Sequence, residues 1–120
     1  MISKGYRSIR EVMALEIQEI GSEEELDKVT MHGITLVDFD APWCAPCLLQ
    51  EPIIHQLAAQ FQGKARMVVV NIDQAPDMAS TLGIRSIPTL VIFKNSKEIQ
   101  RFVGLQSEGT LSEALNKLCK

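Results

Sequence analysis

The sequence predicts an α/β domain with a mixed central sheet of about five strands, flanked by about four helices. Three observations predict it: apolar strand-like runs alternate with segments of helical periodicity, two short strands near the end resemble a hairpin, and the length suits one domain. Alternation favours parallel strand pairing, and a hairpin adds antiparallel strands. A chain of 120 residues buries roughly two thirds of its unfolded surface without metals or structural disulfides.

Strands are predicted over residues 15–20, 34–40, 67–72, 89–93 and 99–103, and helices over residues 23–31, 44–61, 76–83 and 107–118. Leu15, Ile17 and Ile20 indicate the first strand. Ser22 with Glu25 three residues later is a capping-box signal for the first helix. The continuous apolar character of residues 34–40 is typical of a buried strand.

The second helix has apolar residues at helical spacing, interrupted by one proline. These residues are Leu48, Leu49, Ile53, Leu57 and Phe61. Pro52 removes one backbone donor and should kink the helix, and Gly63 ends it. The following run over residues 67–72 is broken only by Asn71, which again predicts a strand covered on both faces.

Local signals define the last elements. Pro76 begins a short helix that Gly83 ends. The polar segment over residues 94–98 is short enough to join two strands as an antiparallel hairpin. Ser107 can cap the final helix.

Composition narrows the function classes. The net charge of −3 comes from interleaved acidic and basic residues, so no basic stripe points to nucleic acid. No run of eighteen apolar residues indicates a membrane span. Residues 1–14 form an extension, either a short helix or a frayed tail, before a domain over 15–120. Because this extension contains no uninterrupted apolar segment, we expect no secretory signal and a cytoplasmic protein.

The pair Cys44 and Cys47 is the chemical signal of the sequence. Cys44 falls where a buried strand ends and a helix begins, so its sulfur should face unpaired backbone N–H groups at the positive end of the helix. Cysteines at positions i and i+3 share one helix face and can form a disulfide. With Pro46 in the first helical turn, this predicts that Cys44, the more exposed thiol, attacks a substrate disulfide and Cys47 resolves the mixed disulfide.

An alternative is that the two cysteines are buried small hydrophobes or half of a zinc site. A zinc site needs two more ligands, and Cys119, His32 and His55 offer no second paired spacing. We therefore expect no metal and no other cofactor. Cys119 is interpreted as a packed small residue, and the two histidines as surface residues.

Several separated motifs resemble the thioredoxin family. They are Val37-Asp38-Phe39, Trp43-Cys44-Ala45-Pro46-Cys47, Asn71-Ile72-Asp73 and Gly83-Ile84-Arg85-Ser86-Ile87-Pro88-Thr89-Leu90. The resemblance covers about residues 15–118. It implies a thioredoxin-like fold and a protein disulfide oxidoreductase whose redox-active disulfide joins Cys44 and Cys47.

The resemblance also implies roles for residues beyond the cysteines. Asp38 would act through water as proton acceptor for Cys47, rather than as a solvent-exposed residue at a strand end. The Ile87–Pro88 bond would be cis, leaving the Ile87 backbone free to pair with an extended substrate, where the alternative is an ordinary trans proline. The apolar substrate-docking surface would include Trp43, Ala45, Pro46, Ile84, Ile87, Pro88 and Gly104. Trp43 packed in the core and Gly104 as a simple turn residue are the alternatives.

Four positions depart from the family pattern. Ala45 replaces a glycine and should stiffen the loop, and Leu48 replaces a basic residue, which should make Cys44 slightly less acidic. Val69 replaces a lysine that pairs with the buried acid. Asp40 replaces an aromatic residue and should point to the same side of its strand as Asp38, so that each charge opposes ionisation of the other.

The resemblance implies that the partners are disulfide-containing proteins and a thioredoxin reductase or an equivalent electron donor, with the chain acting as a monomer. A binding or regulatory module without turnover is a second interpretation. A more oxidising disulfide oxidase or isomerase is a third, because no sequence rule fixes the redox potential.

Overall fold

The computed structural model describes residues 17–119. The predicted extension over residues 1–14 and the predicted strand residue Leu15 lie outside this range. The elements are β1 (Gln18–Glu19), α1 (Glu23–Thr30), β2 (Ile34–Asp40), α2 (Ala45–Gln60), β3 (Ala65–Asn71), α3 (Pro76–Thr81), β4 (Thr89–Lys94), β5 (Lys97–Val103) and α4 (Glu108–Leu118). The prediction of about five strands and four helices is confirmed.

The five strands form one mixed sheet in the order β1-β3-β2-β4-β5. Strand β3 pairs in parallel with β1 and β2, whereas β4 pairs antiparallel with both β2 and β5. The parallel pairs are joined through helices and the β4–β5 pair through a hairpin, as the alternation predicted. This order places the carboxyl end of β2, which leads into α2, near the middle of the sheet.

Each face of the sheet has its own apolar core because successive side chains of a buried strand point to opposite sides. On one face, Leu26 of α1 and Met78 of α3 cluster with Val37 and Phe39 of β2. On the other face, residues of α2 and α4, such as Leu57 and Leu111, cluster with Leu36. Two helices therefore cover each face, and Asp38, two residues after Leu36, points toward α2.

The predicted helix caps are confirmed. The Ser22 Oγ accepts a hydrogen bond of 3.1 Å from the Glu25 backbone N–H, and a Glu25 carboxylate oxygen accepts one of 2.9 Å from the Gly21 N–H. The Ser107 Oγ likewise accepts 3.1 Å from the Thr110 N–H. Each cap satisfies an N–H group that the helix leaves unpaired.

The hairpin is tighter than the predicted connection over residues 94–98. Its turn is Asn95–Ser96, with positive φ angles of 50° and 78°, and β5 starts at Lys97. Asparagine tolerates this region, and the Asn95 Oδ1 accepts a 2.8 Å hydrogen bond from the Gly33 N–H. The sequence pattern did not indicate the start of β5, because this strand lies at the sheet edge and its polar first residues are exposed.

A buried polar contact ties α2 to the segment that follows β5. The Gln50 side chain is completely buried. Its Nε2 donates to the Gln106 carbonyl at 3.0 Å, and its Oε1 accepts from the Gln106 N–H at 2.8 Å. Two backbone groups of the loop after β5 are thus satisfied by one side chain, which fixes that loop against the helix.

Candidate active site

The cysteine pair lies at the start of α2. Strand β2 ends at Asp40, and Cys44 is the N-cap of the helix, with extended backbone geometry. Its Sγ accepts a hydrogen bond of 3.2 Å from the Cys47 backbone N–H. The predicted position of this sulfur at the positive end of a helix is confirmed, and such a position stabilises a thiolate.

Cys44 and Cys47 are joined by a disulfide, and their Cα atoms are 5.2 Å apart. The side chains are almost equally buried, with 5% and 3% of their surfaces exposed. Cys44 is the more exposed of the two, as expected, but the difference is small in this disulfide form. The physical reason is a neighbouring segment: the Cys44 Sγ lies 3.8 Å from the Ile87 carbonyl oxygen.

The segment before β4 lies beside the cysteines. The Ile87–Pro88 peptide bond is cis, as expected. The Pro88 carbonyl accepts a 2.7 Å hydrogen bond from the Gly104 N–H, which brings the end of β5 to the same place. Gly104 has a φ of 91°, a conformation that a residue with a Cβ rarely adopts. Cys44, Ile87, Pro88 and Gly104 are thus brought together.

Trp43 precedes the cysteine pair and faces solvent. Its side chain is 68% exposed, so the alternative that it packs in the core is wrong. The indole Nε1–H donates a 2.9 Å hydrogen bond to the Asp73 carboxylate. Ala45 and Pro46 are also exposed. Ile84 is half-buried and packs against the core that α1 and α3 cover.

Asp38 is the buried acid of the site. Its side chain is 3% exposed, and its Oδ1 has no hydrogen-bond partner among residues 17–119. Burial, together with the negative charges of Asp40 and Glu51, raises the pKa of Asp38 to about 8. Val69, and not a lysine, is the β3 neighbour of Asp38 in the sheet register.

The family model for thioredoxin matches residues 16–117 of this chain. The chain belongs to the thioredoxin family. It is 49% identical over 82 residues to thioredoxin 1 of Nostoc sp., which covers 68% of this chain and 77% of the relative. It is 36% identical over 96 residues to a thioredoxin of Staphylococcus aureus, which covers 80% of this chain and 92% of the relative.

Solved thioredoxin structures have the same fold. A mutant thioredoxin of Halobacterium salinarum superposes with a TM-score of 0.81 at 34% identity, covering 88% of this chain and 92% of that one. A thioredoxin of Malassezia sympodialis gives 0.78 at 30% identity, with the same coverage. With the disulfide-forming cysteine pair, family membership makes this thioredoxin-family chain a protein disulfide oxidoreductase. Within residues 17–119, no helix is both long and apolar enough to cross a membrane.

A cavity of about 210 Å³ beside Asp38 contains an acidic cluster. Its titratable lining residues are Glu19, Asp38, Asp40, Glu51 and His55. Burial, together with the charges of Glu19 and Glu51, raises the pKa of Asp40 to about 6. The predicted mutual opposition of the two charges is found at Asp38, where Asp40 is the leading charged cause, but Asp38 is not among the charges that raise the pKa of Asp40.

Sequence reasoning missed three residues of this cluster. Glu51 and His55 follow Cys47 at helical spacings of four and eight residues, a signal that places all three on one face of α2. The sequence around Glu19 gives no such signal, because its proximity to Asp38 and Asp40 depends on the order of the strands in the sheet. His55, expected at the surface, is half-buried, and its Nδ1 has no hydrogen-bond partner within residues 17–119.

The remaining candidates take no part in this arrangement. His32 is exposed, as expected. Cys119 is a free cysteine at the end of α4 and packs against the core that α2 and α4 cover, which confirms its interpretation as a packed residue. In the described part of the chain, no three His, Cys, Asp or Glu side chains are arranged to hold a metal ion.

Proposed function

We propose that this protein reduces disulfides in other proteins, with Cys44 as the attacking cysteine and Cys47 as the resolving cysteine. The observation that supports it is the position of the Cys44 sulfur, which caps α2 and accepts a hydrogen bond from the Cys47 N–H. A negative sulfur is favoured at a helix N-terminus, and the thiolate is the form that attacks disulfides.

The reaction transfers two electrons in two exchanges. The Cys44 thiolate attacks one sulfur of the substrate disulfide, and the other substrate sulfur leaves as a thiolate. Cys47 then loses its proton and attacks the Cys44 sulfur, which releases the second substrate thiolate. The product on this chain is the Cys44–Cys47 disulfide seen in the structure.

Asp38 is the acid proposed to accept, through water, the proton that Cys47 loses. Its burial on the strand that leads into the cysteine-bearing helix and its unpartnered Oδ1 support this role. A carboxyl group accepts a proton only when it is ionised. With a pKa of about 8, Asp38 accepts protons above that pH and holds its own proton below it.

The substrate is proposed to dock on the surface around Cys44. Trp43, Ala45 and Pro46 are exposed there, and the carbonyl of Ile87 lies 3.8 Å from the attacking sulfur. An extended substrate segment beside the Ile87 backbone would gain main-chain hydrogen bonds, as an added strand does. Gly104 offers close backbone approach and the half-buried Ile84 contributes apolar surface, whereas Pro88 is buried.

The electron supply and location complete the proposal. Since each turnover leaves a disulfide on the chain, a thioredoxin reductase or an equivalent dithiol donor must return two electrons. The protein is proposed to act as a cytoplasmic monomer without a cofactor, because a reducing compartment keeps such a carrier in its dithiol form.

An insulin-reduction assay with dithiothreitol tests the proposal. The wild-type protein should accelerate reduction, Cys44→Ser should abolish the acceleration, and Cys47→Ser should accumulate a mixed disulfide with insulin. Cys119→Ser is the matched control and should be as active as the wild type. Equal rates for wild type and Cys44→Ser would leave a binding module without turnover and overturn the proposal.

A further inference from the structure

Two neighbouring cavities connect Cys47 to the acidic cluster. The cavity of about 210 Å³ contains Asp38 but not Cys47, and a second cavity of about 220 Å³ contains Cys47 but not Asp38. Three carboxylates line both cavities: Glu19, Asp40 and Glu51. These carboxylates therefore lie between the resolving cysteine and the buried acid.

The carboxylates become progressively more exposed along this route. Asp38 is buried, Asp40 is half-buried, and Glu51 and Glu19 are exposed. Each cavity is large enough for several water molecules and is lined by the polar partners that water requires. Such an arrangement can carry a proton between solvent and the interior in short steps.

We propose that at neutral pH Asp40, rather than Asp38, accepts the proton of Cys47 when Cys47 attacks the mixed disulfide, through water in the cavity of about 220 Å³ that Asp40 and Cys47 both line. The inference rests on the proposed roles of the two cysteines. In this step the Cys47 S–H bond breaks and its proton forms an O–H bond with the Asp40 carboxylate. The sulfur electron pair forms the bond to Cys44, and the substrate sulfur leaves with the electrons of the broken disulfide bond.

The ionisation states favour Asp40 over Asp38 at neutral pH. The pKa of Asp40 is about 6, so this group is mainly a carboxylate and can accept a proton. The pKa of Asp38 is about 8, so that group already holds one. The other titratable groups facing the first cavity are Glu19 from β1 and Glu51 and His55 from α2, while β3 contributes the uncharged Val69.

Single-turnover kinetics of the resolving step test this assignment. Reduced protein in a Cys119→Ser background is mixed with dithiobis(nitrobenzoate), which releases one thionitrobenzoate when Cys44 is modified and a second when Cys47 attacks. In the protein that retains Asp40, the rate of the second release should increase with pH, with a midpoint near pH 6. Asp40→Asn should slow it at least about tenfold at neutral pH, the lower range of general-base effects.

A faster second release in Asp40→Asn would overturn the proposal. If Asp40 is only a nearby charge that keeps Asp38 protonated, Asp40→Asn lowers the pKa of Asp38 and speeds the second release at neutral pH. An unchanged rate overturns the proposal as well. Failure of the first release in wild type would contradict the cysteine roles themselves, and is thereby distinguished from failure of the Asp40 role.

Three variants serve as controls. Asp77→Asn removes one exposed acid that lines neither cavity and should leave the profile unchanged. Asp40→Glu restores a carboxylate and should recover most of the rate, which separates loss of the acid from damage to the fold. Asp38→Asn should keep the rise at low pH, and loss of that rise in this variant alone would assign the proton to Asp38 instead.

Discussion

Val69 of β3 lies directly opposite Asp38 of β2 in the parallel register, and both side chains line the same cavity. Glu19 of β1 is the partner of Val69 on its other side. The branched hydrocarbon side chain of Val69 therefore separates Asp38 from Glu19, at a point where both carboxylates would stabilise a cation. Among residues 17–119, no lysine or arginine lines this cavity, so none of them offsets the effect of burial at Asp38.

Val69→Lys is expected to lower the pKa of Asp38 from about 8 by roughly 1–3 units, because an ammonium group in the cavity favours the carboxylate. The titration can be followed by the carboxyl carbon resonance of Asp38. Val69→Met, a long uncharged side chain, is the control for altered packing. A midpoint that moves equally in both variants would show that charge is not the cause.

The stability of the oxidised protein should depend on pH through Asp38. Its pKa is 3.8 in its ordinary state and about 8 in the fold, so the native state binds the proton more tightly. The stabilisation is complete below the ordinary pKa and is lost as the pH rises toward about 8, by up to about 1.4 kcal/mol per pH unit. Asp40 adds to this slope only up to its pKa of about 6.

Urea denaturation of wild type and Asp38→Asn at several pH values measures this effect. The difference between their free energies of unfolding should shift in favour of the variant as the pH rises, because asparagine has no proton to lose. Other titrating groups are common to both proteins and cancel. If the free energies of unfolding of the two proteins changed with pH in the same way, the raised pKa of Asp38 would be contradicted.

The sequence predicted those features that depend on short stretches of chain. The position of Cys44 at the start of a helix and the burial of Asp38 both follow from a strand that leads directly into a helix. The acidic cluster was predicted only in part, since Glu19 lies near Asp38 only because β1, β3 and β2 are neighbours in the sheet. The start of β5 at Lys97 was missed because an edge strand does not need apolar residues.

Gln50 should contribute to stability through its buried contact with Gln106. Gln50→Met preserves the side-chain volume but leaves an N–H and a carbonyl of the loop without partners, at a cost of about 1–3 kcal/mol. Gln60→Met, on the same helix, removes an exposed hydrogen bond to Ser112 and should cost less than about 0.5 kcal/mol. Urea denaturation of both variants provides the comparison, and equal losses would contradict the importance of burial.

The hydrogen bond from Trp43 to Asp73 should orient the indole on the docking surface. Asp73→Leu removes the acceptor and should lower the fluorescence anisotropy of Trp43, the single tryptophan of the chain. The KM for insulin should rise by up to about fivefold, the equivalent of one hydrogen bond. Asp77→Leu, the loss of an exposed acid on α3, is the control, and an equal change in both variants would show that charge alone is responsible.

Leu48 directly follows the cysteine pair, at a position where a cation could act on it. It is 60% exposed and lines the cavity that contains Cys47, whereas Leu49 is 63% exposed and does not. Leu48→Lys adds a positive charge in the first turn of α2, which should stabilise the Cys44 thiolate. The pH midpoint of Cys44 alkylation should fall by about half a unit, and Leu49→Lys should change it less.

A more stable thiolate stabilises the reduced protein, so the same Leu48→Lys variant should also become a weaker reductant. Alkylation of Cys44 can be measured by mass spectrometry after short exposure to iodoacetamide across a pH series, and the redox midpoint by equilibration with glutathione. The two measurements must change together if charge is the cause. A lower alkylation midpoint without a more oxidising potential would mean that the lysine also stabilises the disulfide form, and an unchanged midpoint would contradict the role of Leu48.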